Sequence, residues 1–175
     1  MIDVSVTYNR FKFLGHEYLT WLWYSIDTGI YRDLFSTKEA ILLTIGNRIV
    51  LENRRSKDTE TVTIKGDGAD LKEGKVALKK GALVSEINIK IERDSQPWAL
   101  TLKGESFSVV NLKTPAVGQT QDPEDVDGAV LEKIYLFETV FQIMEKIYGS
   151  FIKQRVGEDW ESKIKENIKK WIKTI

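Results

Sequence analysis

The side chains able to do chemistry are few and widely spaced. His16 is the only histidine among 175 residues, and there is no cysteine. A histidine-rich metal site, a mechanism using two histidines, a thiolate metal site, a cysteine nucleophile and disulfides are therefore all excluded. His16 stands beside Glu17 at the start of an aromatic segment. As a general base it would need a nucleophile or a water held against it, and nothing in the sequence identifies one. It reads as a surface or helix-start residue.

Three acidic or glycine-rich stretches invite chemistry and fail on spacing. Gly68 to Lys75 superficially resembles a phosphate loop. That loop needs four residues between its glycines and a Ser or Thr after the Lys, because the spacing decides which backbone N–H groups face the phosphate. Here five residues intervene and Val76 follows. Asp122-Pro123-Glu124-Asp125-Val126-Asp127-Gly128 resembles a calcium loop, yet counting from its glycine puts Pro123 at the first ligand position and Ile134 where a bidentate Glu belongs. The cluster reads as a solvated acidic linker whose charge favours the N-terminus of the helix after it. The pairs Glu60 with Asp67 and Glu92 with Asp94 read as strand-end charges. These residues identify no catalytic residue, no metal site and no cofactor.

Charge leaves one chemistry open. The 26 basic and 26 acidic residues cancel, but the last thirteen residues carry Lys163, Lys165, Lys169, Lys170 and Lys173 against Glu166 alone. Those lysines could meet nucleic-acid phosphates, each releasing counterions in a sequence-blind, salt-dependent contact. The competing reading is an amphipathic helix with a lysine-rich wet face, favoured near a helix C-terminus by the dipole. Arg54, Arg55 and Lys57 form a second basic patch of the same two meanings.

The elements that must position these groups follow from periodicity. Leu14, Tyr18, Trp21, Leu22 and Ser25 fall at helical spacing, with Leu19 and Trp23 widening the apolar face, so the spacing predicts a largely buried helix over about Gly15–Ser25. Val4–Phe13 suits an edge strand. From Ala40 onward the pattern is of strands: Ala40–Ile45 and Arg48–Glu52 flanking a Gly46-Asn47 hairpin turn, then Glu60–Lys65, Leu83–Arg93, Pro97–Lys103 and Ser106–Val110. A short helix, Leu71–Lys80, ends at Gly81. Residues 113–128 read as an exposed acidic linker. Beyond it, Val130, Ile134, Phe137, Phe141, Met144, Tyr148 and Phe151 alternate spacings of four and three, a heptad seam. Leu136, Val140, Ile143 and Ile147 form a neighbouring stripe. The seam, Phe137 to Phe151 above all, serves either packing on the sheet or a dimer interface. A last helix, about Glu158–Thr174, sets Trp160, Ile164, Ile168, Trp171 and Ile175 on one face.

The expected architecture is a single α+β domain over 1–175: a sheet-rich part over about 1–112, the linker 113–128, and a helical part 129–175. It holds a mainly antiparallel sheet of about four to six strands, with the aromatic helix and two C-terminal helices packed on one face. A chain of this length buries about 70% of its unfolded surface. The start Met1-Ile2-Asp3-Val4 lacks the basic and apolar regions of a signal peptide. The longest apolar stretch, Phe137–Ile152, is broken by Glu138, Gln142, Glu145 and Lys146, so no membrane span is expected. The expected compartment is the cytoplasm, with nucleoid association if DNA is bound.

The segment Phe13-Leu14-Gly15-His16-Glu17-Tyr18-Leu19-Thr20-Trp21-Leu22-Trp23-Tyr24 resembles a signature of bacterial recombination-associated RdgC-like proteins. Ala77-Leu78 through Gly81 into Val84–Ile91, the strand Trp98–Lys103 and the start Leu131-Glu132-Lys133-Ile134-Tyr135-Leu136 are similar too. This chain is shorter than a full-length RdgC, so the likeness is to part of one. The resemblance implies a non-enzymatic, DNA-associated homodimer that encircles duplex DNA with little sequence preference and limits RecA-driven recombination. Its motif is aromatic and apolar, which reads as core, so it brings no DNA-contacting residue with it. The lysines and arginines above rest on charge alone. The other reading is a protein–protein interaction or structural module of phage or mobile-element type, anchored by the heptad helix and exposed tryptophans.

Overall fold

The computed structural model describes residues 13–36, 39–53, 60–66, 71–117 and 126–174. The expected strand Val4–Phe13 lies outside them, apart from Phe13, which opens a helix. In chain order the elements are α1 (Phe13–Thr28), a 3₁₀ turn (Ile30–Leu34), β1 (Ile41–Asn53), β2 (Glu60–Lys65), α2 (Leu71–Lys79), β3 (Leu83–Arg93), β4 (Gln96–Lys103), β5 (Ser108–Lys113), α3 (Val126–Val156), a π-helical turn (Trp160–Ile164) and α4 (Lys165–Lys173). The fold is α+β. Its five strands form one sheet in the order β2-β1-β3-β4-β5, with every neighbouring pair antiparallel. No described helix is long and apolar enough to cross a membrane.

Strand alternation decides which face is covered. Val84, Ile87, Ile89 and Ile91 of β3, with Trp98, Leu100 and Leu102 of β4, point into the core beneath the helices. Glu86, Asn88, Lys90 and Glu92 lie between them on the opposite face, as a period of two requires. Trp21, Trp23, Trp98, Trp160 and Trp171 are all buried. An interaction surface built on exposed tryptophans is thereby ruled out.

Gly46-Asn47 does not turn the chain. β1 runs on through it as one strand of 13 residues. Ile45 pairs with Ile89 and Ile49 with Ile87, so Gly46, Asn47 and Arg48 all oppose Asn88. This is a bulge, a feature that shares its glycine cue with a tight turn. A Cβ on Gly46 would lie 1.8 Å from Asn88 Oδ1. That oxygen accepts the Asn47 N–H at 3.3 Å, while Asn88 Nδ2 donates to the Leu100 carbonyl at 3.0 Å. The two-residue hairpin turn is instead Asp94-Ser95, with φ of 52° and 63°, the left-handed pair such a turn demands.

α1 is the centre of the molecule. Tyr18, Leu19, Trp21, Leu22, Trp23, Tyr24 and Ser25 are buried on successive sides, as its all-round apolar sequence predicts. Its first turn crosses the ends of β3 and β4, where Gly15 meets Gly104 backbone to backbone. His16 is not a surface residue: it is buried, and its Nδ1–H donates to the Val84 carbonyl at 3.0 Å. At the far end of α1, Asp27 accepts from Lys75 Nζ at 3.0 Å and from the Trp171 indole at 2.5 Å. The Lys75 ammonium also stands 4.9 Å from the Trp171 ring centroid. The lysine of the spurious phosphate loop therefore clips α1, α2 and α4 together.

The linker expectation over 113–128 needs correction at both ends, since Lys113 closes β5 and 126–128 belong to α3. Thr114–Val117 has no regular structure, but Pro115 is buried and Val117 packs against the core. Residues 118–125 lie outside the described ones. α3 opens with Asp127 in its first turn, where a carboxylate suits the dipole.

Burial pushes the Tyr18 hydroxyl above the ordinary tyrosine range, with nearby Tyr148 adding to it, and that hydroxyl has no hydrogen-bond partner. A raised folded-state value means stability is full below about pH 10 and falls above it, as the unfolded tyrosine ionises first. Tyr18→Phe is therefore expected to leave neutral-pH stability equal or higher, because an unpartnered buried hydroxyl is costly, and to lose less at alkaline pH than the parent. Urea midpoints at about pH 8 and about pH 11 measure both. A parallel alkaline loss in the two proteins would count against the assignment.

Candidate functional site

The basic residues expected to act fall in different places. Arg54, Arg55 and Lys57 lie outside the described residues, in the connection between β1 and β2. Lys163, Lys165, Lys169, Lys170 and Lys173 are all exposed on the π turn and α4. Lys165 is paired with Glu161 at 2.9 Å and Lys169 with Glu166 at 2.6 Å. The Lys165 hydrogen bond holds the Glu161 carboxyl below its ordinary value. Lys169 does the same for Glu166, with Lys170 and Lys173 adding to it. Residues 158–174 carry those five lysines against Glu158, Asp159, Glu161 and Glu166. The acids gather at the start and the bases at the end, the arrangement a helix dipole favours. The helix is therefore only weakly basic.

A stronger basic surface lies on the sheet face that no described helix covers. Arg48 pairs across to Lys65. Lys90 sits opposite Ala99, and Ala99 in turn opposite Lys113. Lys103 sits opposite Glu86. Cross-strand register thus sets cations from β2, β1, β3, β4 and β5 on one face. Arg48, Lys90, Lys103 and Lys113 line a shallow hollow of about 920 Å³ in which Glu86 is the one carboxylate. Glu86 is shared between Arg48 and Lys103, 3.5 Å from each. Four cations against one anion leave a formal excess of three. The hollow spans three strand spacings from β1 to β5, roughly 14 Å. Sequence reasoning missed it because its members are isolated cations in four separate strands. The alternating Glu86, Asn88, Lys90, Glu92 read simply as the wet side of β3.

No protein-family model, no curated protein and no solved structure matches this chain. The surfaces must be judged by their chemistry. Among the described residues no group of three or more metal-ligating side chains converges. Of the acidic pairs, Glu92 lies on the open face, Asp94 is in the hairpin turn beside Arg93 at 3.5 Å, and Asp67 is outside the described residues.

The heptad seam divides. Met144 and Phe151 are buried in the chain's own core, and the neighbouring stripe Leu136, Val140, Ile143 and Ile147 is the face α3 packs inward. Phe137 and Tyr148 are partly covered. The N-terminal half stays outside: Val130 is 52% exposed, Leu131 65%, Ile134 47%, Tyr135 57% and Phe141 49%. Sequence periodicity alone cannot tell a helix's core stripe from the stripe one position beside it.

Proposed function

We propose that this chain is a non-enzymatic, DNA-associated protein that holds duplex DNA by its phosphates, without reading sequence. The observation that carries this reading is the positive hollow on the open sheet face, formed by Arg48, Lys90, Lys103 and Lys113 around a single carboxylate. Lysine and arginine heads on such a face give contacts through charge and counterion release rather than through base edges. The resemblance of Phe13–Tyr24 to the RdgC-like signature points the same way. The lysines of the π turn and α4 are secondary, since Glu158, Asp159, Glu161 and Glu166 accompany the five of them.

Anisotropy of a short labelled duplex of arbitrary sequence, titrated over salt, tests it. Binding is expected at low salt with a steep salt slope. Lys90→Glu with Lys113→Glu should flatten that slope by about two phosphate contacts, close to 0.9 each. Lys169→Glu with Lys170→Glu should change it less. Absence of binding at low salt rejects the reading. A second reading, an interaction module or homodimer, is favoured by the exposed Val130, Leu131, Ile134, Tyr135 and Phe141, a contiguous apolar stripe of the kind that marks association sites. Sedimentation of the DNA-free chain tests this second reading: concentration-dependent association abolished by Leu131→Glu supports the stripe.

A further inference from the structure

α3 carries a further periodic stripe, and the fold leaves this one open. Asp127, Leu131, Ile134, Glu138, Phe141 and Glu145 follow one another at spacings of four and three, and all six are exposed. Leu136, Val140, Ile143 and Ile147 fill the inward face. Such spacing sets side chains along one line of a helix, here a ridge roughly 27 Å long. Three apolar side chains and three carboxylates share it. None of the three carboxylates has an ion-pair partner among the described residues. The two lysines of this stretch are engaged elsewhere. Lys133 donates to the Thr114 hydroxyl and stands 5.7 Å from the Phe137 ring centroid. Lys146 pairs with Glu39 at 3.4 Å and stands 4.8 Å from the Phe35 ring centroid.

We infer that this ridge docks an amphipathic helix of another protein, one whose apolar seam is flanked by lysine or arginine. Leu131, Ile134 and Phe141 supply the apolar contact that helix pairing needs. The unpaired carboxylates between them set the sign of the partner's charge. A second copy of this chain does not match. The ridge holds no base, so no register of two ridges neutralises its acids, and parallel pairing in register sets like carboxylates side by side. An anionic membrane surface is disfavoured by the same sign. This occupant narrows the interaction-module reading to a basic helical partner. It is independent of DNA binding on the open sheet face.

Two labelled peptides of about three heptads are matched probes, with leucine at the apolar a and d positions and either lysine or glutamate at e and g. Like charges at e and g oppose pairing of each peptide with itself. Anisotropy on the full chain should show saturable binding of the lysine peptide at low salt. The glutamate peptide should bind roughly tenfold more weakly, the yield of three exposed ion pairs, and the gap should close as salt screens the charges. Glu138→Lys with Glu145→Lys should reverse the preference, which non-specific adhesion of an apolar peptide would not do. Leu131→Ala with Ile134→Ala should weaken the lysine peptide at least roughly tenfold. All four side chains are exposed, and unchanged circular dichroism verifies the fold of each variant. The inference is overturned by equal binding of the two peptides, by a preference that survives the charge reversal, or by lysine-peptide binding undiminished in the alanine pair. Self-association in sedimentation that the alanine pair abolishes also overturns it, by seating a second copy on the ridge, and leaves the interaction-module reading standing.

Discussion

Gly15→Ala is expected to destabilise the protein by about 3 kcal/mol, the upper part of the overpacking range. The sign is diagnostic. In an exposed helix the same change would gain about 1 kcal/mol from helix propensity. Here the new Cβ would stand 1.8 Å from the Gly104 carbonyl oxygen and 2.6 Å from its carbon. Those atoms belong to the backbone at the end of β4, whose Gly104 N–H donates to the Ser85 carbonyl at 2.8 Å, so they cannot swing aside as a side chain could. Gly104→Ala should cost less. Its Cβ would meet Gly15 and Leu19 at 3.1–3.2 Å, a contact that small shifts relieve. Urea unfolding of the two variants beside the parent gives the order directly. Equal or increased stability of Gly15→Ala would mean that α1 does not cross β4 this closely.

Phe151→Ala should cost about 3–5 kcal/mol, the usual range for emptying a buried phenylalanine site, against a total stability of about 5–15 kcal/mol for a domain. Phe151 is fully buried. Its ring lies 5.3 Å from that of Tyr18, 5.6 Å from Trp21 and 5.7 Å from Trp160. Three segments of the chain, α1, α3 and the π turn, therefore converge on one side chain. Rigid rings on every side relax poorly into a cavity, which places the cost high in its range. Phe151→Leu, which refills most of the space, should lose far less. The denaturant midpoint and its slope measure both; a loss under about 1.5 kcal/mol for the alanine variant would show that the end of α3 is not integrated with α1.

Local pattern carried much of this molecule. The expected span Leu83–Arg93 is β3, Glu60–Lys65 is β2, and Leu71–Lys80 differs from α2 by one residue. In β3 and α2 the periodicity coincides with one buried face and one wet face, whereas β2, buried only at Ile64, follows from its run of β-branched residues. The aromatic helix was legible from its helical spacing, and its burial followed from having apolar residues on more than one stripe.

The misses share a cause. Gly46-Asn47 suits a turn or a bulge equally well, and β3, far along the chain, decides between them by pairing with both halves of β1. His16, a lone histidine beside Glu17, read as a surface or helix-start residue; its partner is the carbonyl of Val84, 68 positions away. On α3, two adjacent stripes are equally periodic, and contact with Trp98, whose indole donates to the Leu136 carbonyl at 3.1 Å, turns one of them inward. The terminal lysines stood out because they are neighbours in the chain, whereas Arg48, Lys90, Lys103 and Lys113 become neighbours only through strand register.

The type of most elements, the apolar faces of β3, β4 and α1 and the absence of thiol chemistry were thus written in residue order, because they depend on residue identity and on interactions within a turn or two of chain. Which face of each element is covered, how β1 passes its glycine, and where positive charge accumulates depend on partners brought close by long-range pairing. Those partners set the energy of each alternative, and no local pattern contains them.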